Sequence, residues 1–212
     1  MAGTYLAYKT PVADIQWVTL TGEGKPNMKG DKFHYTATAV LTQKQADDIA
    51  AELQEFWKVN RPKGALAKQS KPVIKPYMYK TEEKDEDGDP IKAQKKDENG
   101  ELLYTLQAKT YTTSKEGKPT KIPVLNAKGV AVNLGDKVIG AGSRGVIHGS
   151  IGIYNVDGSS GLTFYLNKVQ LTKFVEYDGG GTEVEELADE TEGLDGLEEV
   201  EEVSEPVNTP AV

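Results

Sequence analysis

Gly140-Ala-Gly-Ser-Arg-Gly-Val-Ile-His-Gly-Ser-Ile-Gly-Ile-Tyr154 is the stretch on which the fold turns. Its first six residues spell GxGxxG. A dinucleotide site needs a helix to begin at those glycines, so that its first amides face a pyrophosphate. Here the residues alternate instead. Ile147, Ile151 and Ile153 share one face with Gly149, and Val146, His148, Ser150, Gly152 and Tyr154 share the other. The spacing predicts a strand with its isoleucines inside. Glycine within a strand marks curvature, a bulge or a close backbone approach. Curved strands punctuated by glycine are what a small closed barrel requires. The outer face then carries an imidazole, a hydroxyl, a phenol and a bare glycine, a surface flat enough for a base to stack.

Outward from this stretch the body is mostly strand. Phe33–Leu41 alternates, with Phe33, Tyr35, Ala37, Ala39 and Leu41 on one face and His34, Thr36, Thr38 and Val40 on the other. Val12–Thr21, Leu102–Tyr111 and Leu162–Val175 are further strand candidates. In Leu102–Tyr111, Lys109 and Tyr111 share a face with Leu103, Thr105 and Gln107, opposite Tyr104 and Leu106. One segment has a different period. Thr42-Gln-Lys-Gln45 is a capping box, and Ala46, Ile49, Ala50, Leu53, Phe56 and Trp57 recur at helical spacing after it. An amphipathic helix is expected up to about Asn60, before Pro62, with Phe56 and Trp57 docking it on the sheet. Lys84-Asp-Glu-Asp-Gly88 and Lys96-Asp-Glu-Asn-Gly100 are two similar turns. They predict a hairpin excursion or a mobile loop over residues 81–101. Their spacing does not meet the EF-hand pattern for calcium.

Charge divides the chain. All 25 Lys and Arg residues precede residue 178, against 20 acids, so the body carries +5. Asp178–Val212 has 13 acids and no base. Arg61–Lys80 holds six bases and no acid, interleaved with Tyr77 and Tyr79. A basic body with a polyanionic tail brings nucleic acid to the front, since such a tail can lie where a polyanion would lie or meet a basic partner. The expected organisation is a folded body over residues 1–178 and a disordered acidic tail over 179–212, where composition offers too little burial to offset ordering entropy.

Other classes are disfavoured. There is no cysteine, which excludes disulfides and thiolate metal sites. No apolar run approaches the roughly 20 residues that span a bilayer. His34 and His148 are the only histidines, and neither sits in HExxH or another close metal spacing. GxxxxGK[ST] and GxSxG are both missing. No catalytic residue, metal or cofactor is expected, and the chain is read as a non-enzyme.

Three segments give the chain a likeness to a known family. They are Lys71-Pro-Val-Ile-Lys-Pro-Tyr-Met-Tyr79, Gly140-Ala-Gly-Ser-Arg144, and Gly161-Leu-Thr-Phe-Tyr-Leu-Asn-Lys-Val-Gln170. Together with the acidic tail they resemble the bacteriophage single-stranded DNA-binding proteins, the helix-destabilising group with one OB-fold. The likeness covers about Lys71–Gly181, then the tail in character. It implies a mainly β, five-stranded OB-fold-like barrel with one packed helix. It also implies sequence-independent binding of single strands in phage DNA replication, recombination and repair, in the cytoplasm of an infected bacterial host. A homodimer is a further implication. So is a tail that contacts polymerase or primase-helicase and competes with DNA. Many such tails end in an aromatic residue, whereas this one ends Glu205-Pro-Val-Asn-Thr-Pro-Ala-Val212.

The expected stacking residues are Tyr77, Tyr79, Tyr111 and Tyr154. The expected phosphate contacts are Lys71, Lys75, Lys80, Lys109, Arg144 and Lys168. Glu198, Glu199, Glu201 and Glu202 are the expected partner-binding part of the tail. Exposed rings beside cations give sequence-tolerant stacking and phosphate neutralisation. A tyrosine that only packs at a barrel rim fits each ring equally well. Two other functions stay open: a non-enzymatic phage interaction or assembly protein with a β-barrel body, and a metal-dependent nuclease or hydrolase. RNA also stays open as the ligand, because stacking does not sense the 2′-OH.

Overall fold

Two glycines close the barrel. A Cβ on Gly145 would lie 2.1 Å from the Gln170 carbonyl oxygen, and one on Gly149 only 1.9 Å from that of Tyr165. Both sit at register shifts in one long hairpin, Arg144–Val156 (β11) with Ser159–Lys173 (β12). At a bulge the strand bends and its twist increases. That lets β12 reach one neighbour while β11 reaches another.

The computed structural model describes residues 4–27, 30–65, 72–114, 116–156, 159–177 and 198–199. In chain order, the remaining elements begin with Tyr5–Lys9 (β1), Ala13–Thr19 (β2), Lys25–Pro26 (β3) and Phe33–Thr42 (β4). The helix Gln43–Asn60 (α1), Ile74–Pro76 (β5), Met78–Lys84 (β6) and Pro90–Gln94 (β7) follow. Leu103–Tyr111 (β8), Val124–Leu125 (β9), Ala131–Asn133 (β10) and Glu198–Glu199 (β13) complete the set. The order β11-β2-β4-β8-β12, with β11 pairing β12, makes a closed barrel of 5 strands. The β8–β12 seam is parallel, with Tyr165 opposite Lys109. β1 adds to β11, β5 adds to β8, and β9 adds to β12.

The core follows the expected alternation. Ala37, Ala39 and Leu41 are buried from β4, Leu106 and Ala108 from β8, and Ile147 and Ile151 from β11. Phe164, Leu166, Val169 and Leu171 complete it from β12, and Ile153 packs at its margin. The capping box forms as the sequence predicts. Thr42 Oγ1 accepts from the Gln45 amide at 3.3 Å, and Gln45 Oε1 accepts from the Thr42 amide at 3.1 Å. Ala46, Ile49, Leu53 and Trp57 then bury against the barrel core. Trp57 is 1% exposed, so it docks the helix as expected.

The two similar turns are built alike. Asp85 Oδ1 accepts from the amides of Asp87 and Asp89, and Asp97 Oδ1 from those of Asn99 and Glu101. Gly88 and Gly100 supply φ of 84° and 83°. The excursion is a hairpin, and it begins before residue 81: β6 and β7 form their own two-stranded sheet from Met78. GxGxxG leads into β11 through a turn, not a helix. The expected body–tail boundary lies outside the described residues. Within the tail, Glu198 and Glu199 pair antiparallel with Asn133 and Val132 of β10.

Candidate nucleic-acid interface

Antiparallel register puts partners on one face of a sheet. On β4 and β8 that face carries Thr38 beside Gln107, Thr36 beside Lys109, and His34 beside Tyr111. It forms the floor of a groove of about 540 Å³. One wall is Pro72, Val73 and Lys75, where β5 runs along β8. The other is Leu162, Thr163 and Phe164 of β12 with Tyr154 of β11. Trp17 also lines it, and no Asp or Glu does so among the described residues. The strand 2–3 face of an OB-fold barrel is the one that takes oligonucleotides, and here β4 and β8 are the second and third barrel strands in chain order.

Trp17 is the residue that sequence reading did not assign. Its φ is +49°, in the left-handed region, within a bulge between Gln16 and Thr19. Non-glycine residues held there cluster at functional sites. The indole is 48% exposed. It stands edge-on to the Tyr77 ring, with centroids 5.2 Å apart at 73°. Tyr77 donates its hydroxyl to Gln16 Oε1 at 2.7 Å, and the Lys95 ammonium lies 5.0 Å from its ring centre. The sequence predicts an open ring at Tyr77. The residue is instead 8% exposed and acts as the footing of Trp17.

The groove continues past Lys109. Tyr111, Lys32 and Phe33, with the carboxylate of Asp31, line a second depression of about 340 Å³ at its end. The His34 ring lies 4.5 Å from Tyr111, tilted by 32°, and Lys32 sits 5.5 Å from the tyrosine ring centre. Burial first, then the Lys109 ammonium, hold the His34 pKa below its usual value. A backbone hydrogen bond with Lys25 opposes them, and Lys32 adds to them. The lowered pKa favours the neutral imidazole, which adds an aromatic surface beside Tyr111.

Of the expected residues, Tyr154, Lys75 and Lys109 line the groove, and Tyr111 lies at its continuation. The Tyr154 ring lies over Gly161, where a Cβ would come within 2.7 Å of the phenol oxygen. The others are elsewhere. Tyr79 and Lys80 are on the β6–β7 hairpin. Arg144 faces Asp14 at 3.4 Å. Lys168 is beside His148 on the outer face of β11 and β12. Lys71, Glu201 and Glu202 lie outside the described residues. Glu198 and Glu199 form β13, which pairs with β10, and neither strand lines the groove. Among the described residues no group of His, Asp and Glu could hold a metal, and no helix is long and apolar enough to cross a membrane.

The chain matches no family model, and no curated protein matches it. Its fold is shared with a solved structure, gp2.5, a single-stranded DNA-binding protein encoded by bacteriophage T7. The TM-score is 0.52 at 15% identity, covering 84% of this chain and 91% of that one. The single-stranded DNA-binding protein from bacteriophage Enc34 also aligns. In complex with single-stranded DNA it gives a TM-score of 0.49 at 14% identity, over 81% of this chain and 88% of that one. In another structure of that protein the figures are 0.47 and 15%, over 84% and 86%.

Proposed function

We propose that this chain binds single-stranded DNA without sequence preference, along the β4–β8 groove, and catalyses no reaction. The observation that carries the reading is one acid-free groove that combines the exposed Trp17 indole, the Tyr154 phenol and the ammoniums of Lys75 and Lys109. Rings in such a groove take bases of any identity, and the lysines neutralise phosphates. The T7 protein of the same fold binds single-stranded DNA, as its name states. In this reading the chain serves phage replication, recombination and repair in the host cytoplasm. Its acidic tail recruits replication proteins such as polymerase or primase-helicase and competes with DNA for the groove. A homodimer belongs to the same reading.

Fluorescence anisotropy with labelled oligo-dT and with a duplex of equal length tests it. Oligo-dT is expected to bind more tightly. With Lys32, Lys75 and Lys109 each neutralising one phosphate, log K should fall against log salt with a slope of about −2. Equal affinity for the duplex, or no binding to either, overturns the reading and favours the interaction-protein alternative. The chain cut after Gly181 is expected to bind oligo-dT more tightly at low salt. Unchanged affinity would remove the tail from the groove.

A further inference from the structure

The sheet of β1, β11 and β12 repeats the groove's chemistry outside it. Register sets Lys9 opposite His148 and His148 opposite Lys168, so three nitrogen-bearing side chains form one row across three adjacent strands. Lys9 and Lys168 flank His148 from opposite sides, two strand spacings or roughly 9–10 Å apart, so two like charges share the row. Among the described residues neither lysine has a salt-bridge partner. Burial, Lys168 and Lys9 hold the His148 pKa down, and its 3.2 Å contact with Gln170 acts the other way. Such a row is relieved by an anion. Four residues back along β1, Tyr5 meets Tyr165 edge-on, with ring centres 6.1 Å apart. Gly152 makes room for both: a Cβ there would lie 2.6 Å from Tyr5 and 2.7 Å from Tyr165. Tyr165 is in turn the register partner of Lys109, a groove residue. A ring pair followed by a cationic row therefore starts where the groove floor ends.

We propose that a single strand bound in the groove crosses β12 onto this outer sheet, where Tyr165 and Tyr5 meet its bases and the Lys9–His148–Lys168 row meets its phosphates. The extension rests on the single-strand reading of the groove and adds a second site in series. Its occupant is the same strand, because the row is cationic and the surface is continuous with Lys109. Strand length is then read in two steps: a short oligonucleotide fills the groove alone, and a longer one fills both.

The test uses the full chain and oligo-dT of about 6 and about 25 nucleotides, one near the lower end of the usual span of roughly 4–16 per OB-fold and one beyond it. The double substitution K9E/K168E is expected to weaken binding of the long oligonucleotide at least tenfold and leave the short one near wild-type affinity. The long oligonucleotide's salt slope should become shallower by about 1.4, because two phosphates are no longer neutralised. Tyr5→Ala should show the same length dependence, and it separates the effect from any folding defect of the charge reversal. Equal weakening of both oligonucleotides, or none of either, overturns the extension while the wild-type protein still binds. Failure of the wild-type protein to bind either oligonucleotide overturns the groove reading itself.

Discussion

Gly149→Val is expected to lower the thermal unfolding midpoint by about 10 °C or more, whereas Gly152→Ala leaves it close to wild type. Both glycines lie on β11, and both are crowded. The difference is what crowds them. At Gly149 a Cβ would lie 1.9 Å from the Tyr165 carbonyl oxygen and 2.7 Å from Phe164 Cε2. The first of those is backbone, held by the β11–β12 ladder that closes the barrel. The second belongs to a ring that is 1% exposed in the core. Neither can withdraw without opening the seam. Overpacking ordinarily costs about 1–3 kcal/mol, and a backbone clash at a closing seam belongs at or above the top of that range. Each kcal/mol shifts the midpoint by about 2–4 °C in a chain of this size. At Gly152 the contacts are the edges of the Tyr5 and Tyr165 rings, which can swing outward. Equal midpoints for Gly149→Val and the wild type would mean that the bulge is not needed for closure.

The same glycines explain why much of the fold is legible in the sequence. Alternation over Val146–Tyr154 places the isoleucines inside, and Phe33–Leu41 and Leu102–Tyr111 sort their faces by the same rule. The period changes once, at Thr42, where a capping box announces the only helix among the described residues. Tyr154, Lys75 and Lys109 could be singled out because an exposed ring or ammonium on a half-buried strand has few structural reasons to be there. Legibility fails where the two-residue period breaks. Strict alternation from Ala13 and Ile15 would put Trp17 in the core, but the bulge after Gln16 turns it outward. A one-residue slip reverses every side chain beyond it, and nothing in the local sequence marks this one. Tyr77 misleads for the opposite reason. Its neighbours Lys75 and Tyr79 are exposed, and only the distant Gln16, Trp17 and Lys95 bury it. Arg144 and Lys168 carry the right charge, but register places them across from Asp14 and His148 rather than on the β4–β8 face.

Trp17→Ala is expected to reduce single-strand affinity about 10- to 100-fold while leaving the fold intact. Stacking of a base on an aromatic ring is worth roughly 1–3 kcal/mol by alanine substitution, and each 1.4 kcal/mol is tenfold. Trp17 is exposed at the wall of the groove, and its backbone is fixed by the bulge, where its carbonyl accepts from Thr36 Oγ1 at 3.2 Å. The indole is therefore already placed, and little ordering entropy opposes binding. Removing it uncovers Tyr77 but leaves the Tyr77–Gln16 hydrogen bond in place, so the hairpin base should hold. Trp57 supplies the contrast within the same chain. It is 1% exposed among the core residues, and Trp57→Ala should cost about 3–5 kcal/mol of stability. Intrinsic fluorescence separates the two. Quenching by oligo-dT should come from Trp17, because a base cannot reach Trp57, and it should vanish in Trp17→Ala while the thermal midpoint stays near wild type. Retained quenching with wild-type affinity would remove Trp17 from the interface. A collapsed midpoint would instead make it a structural residue, and Trp17→Phe would then decide whether a ring at this position restores binding along with the fold.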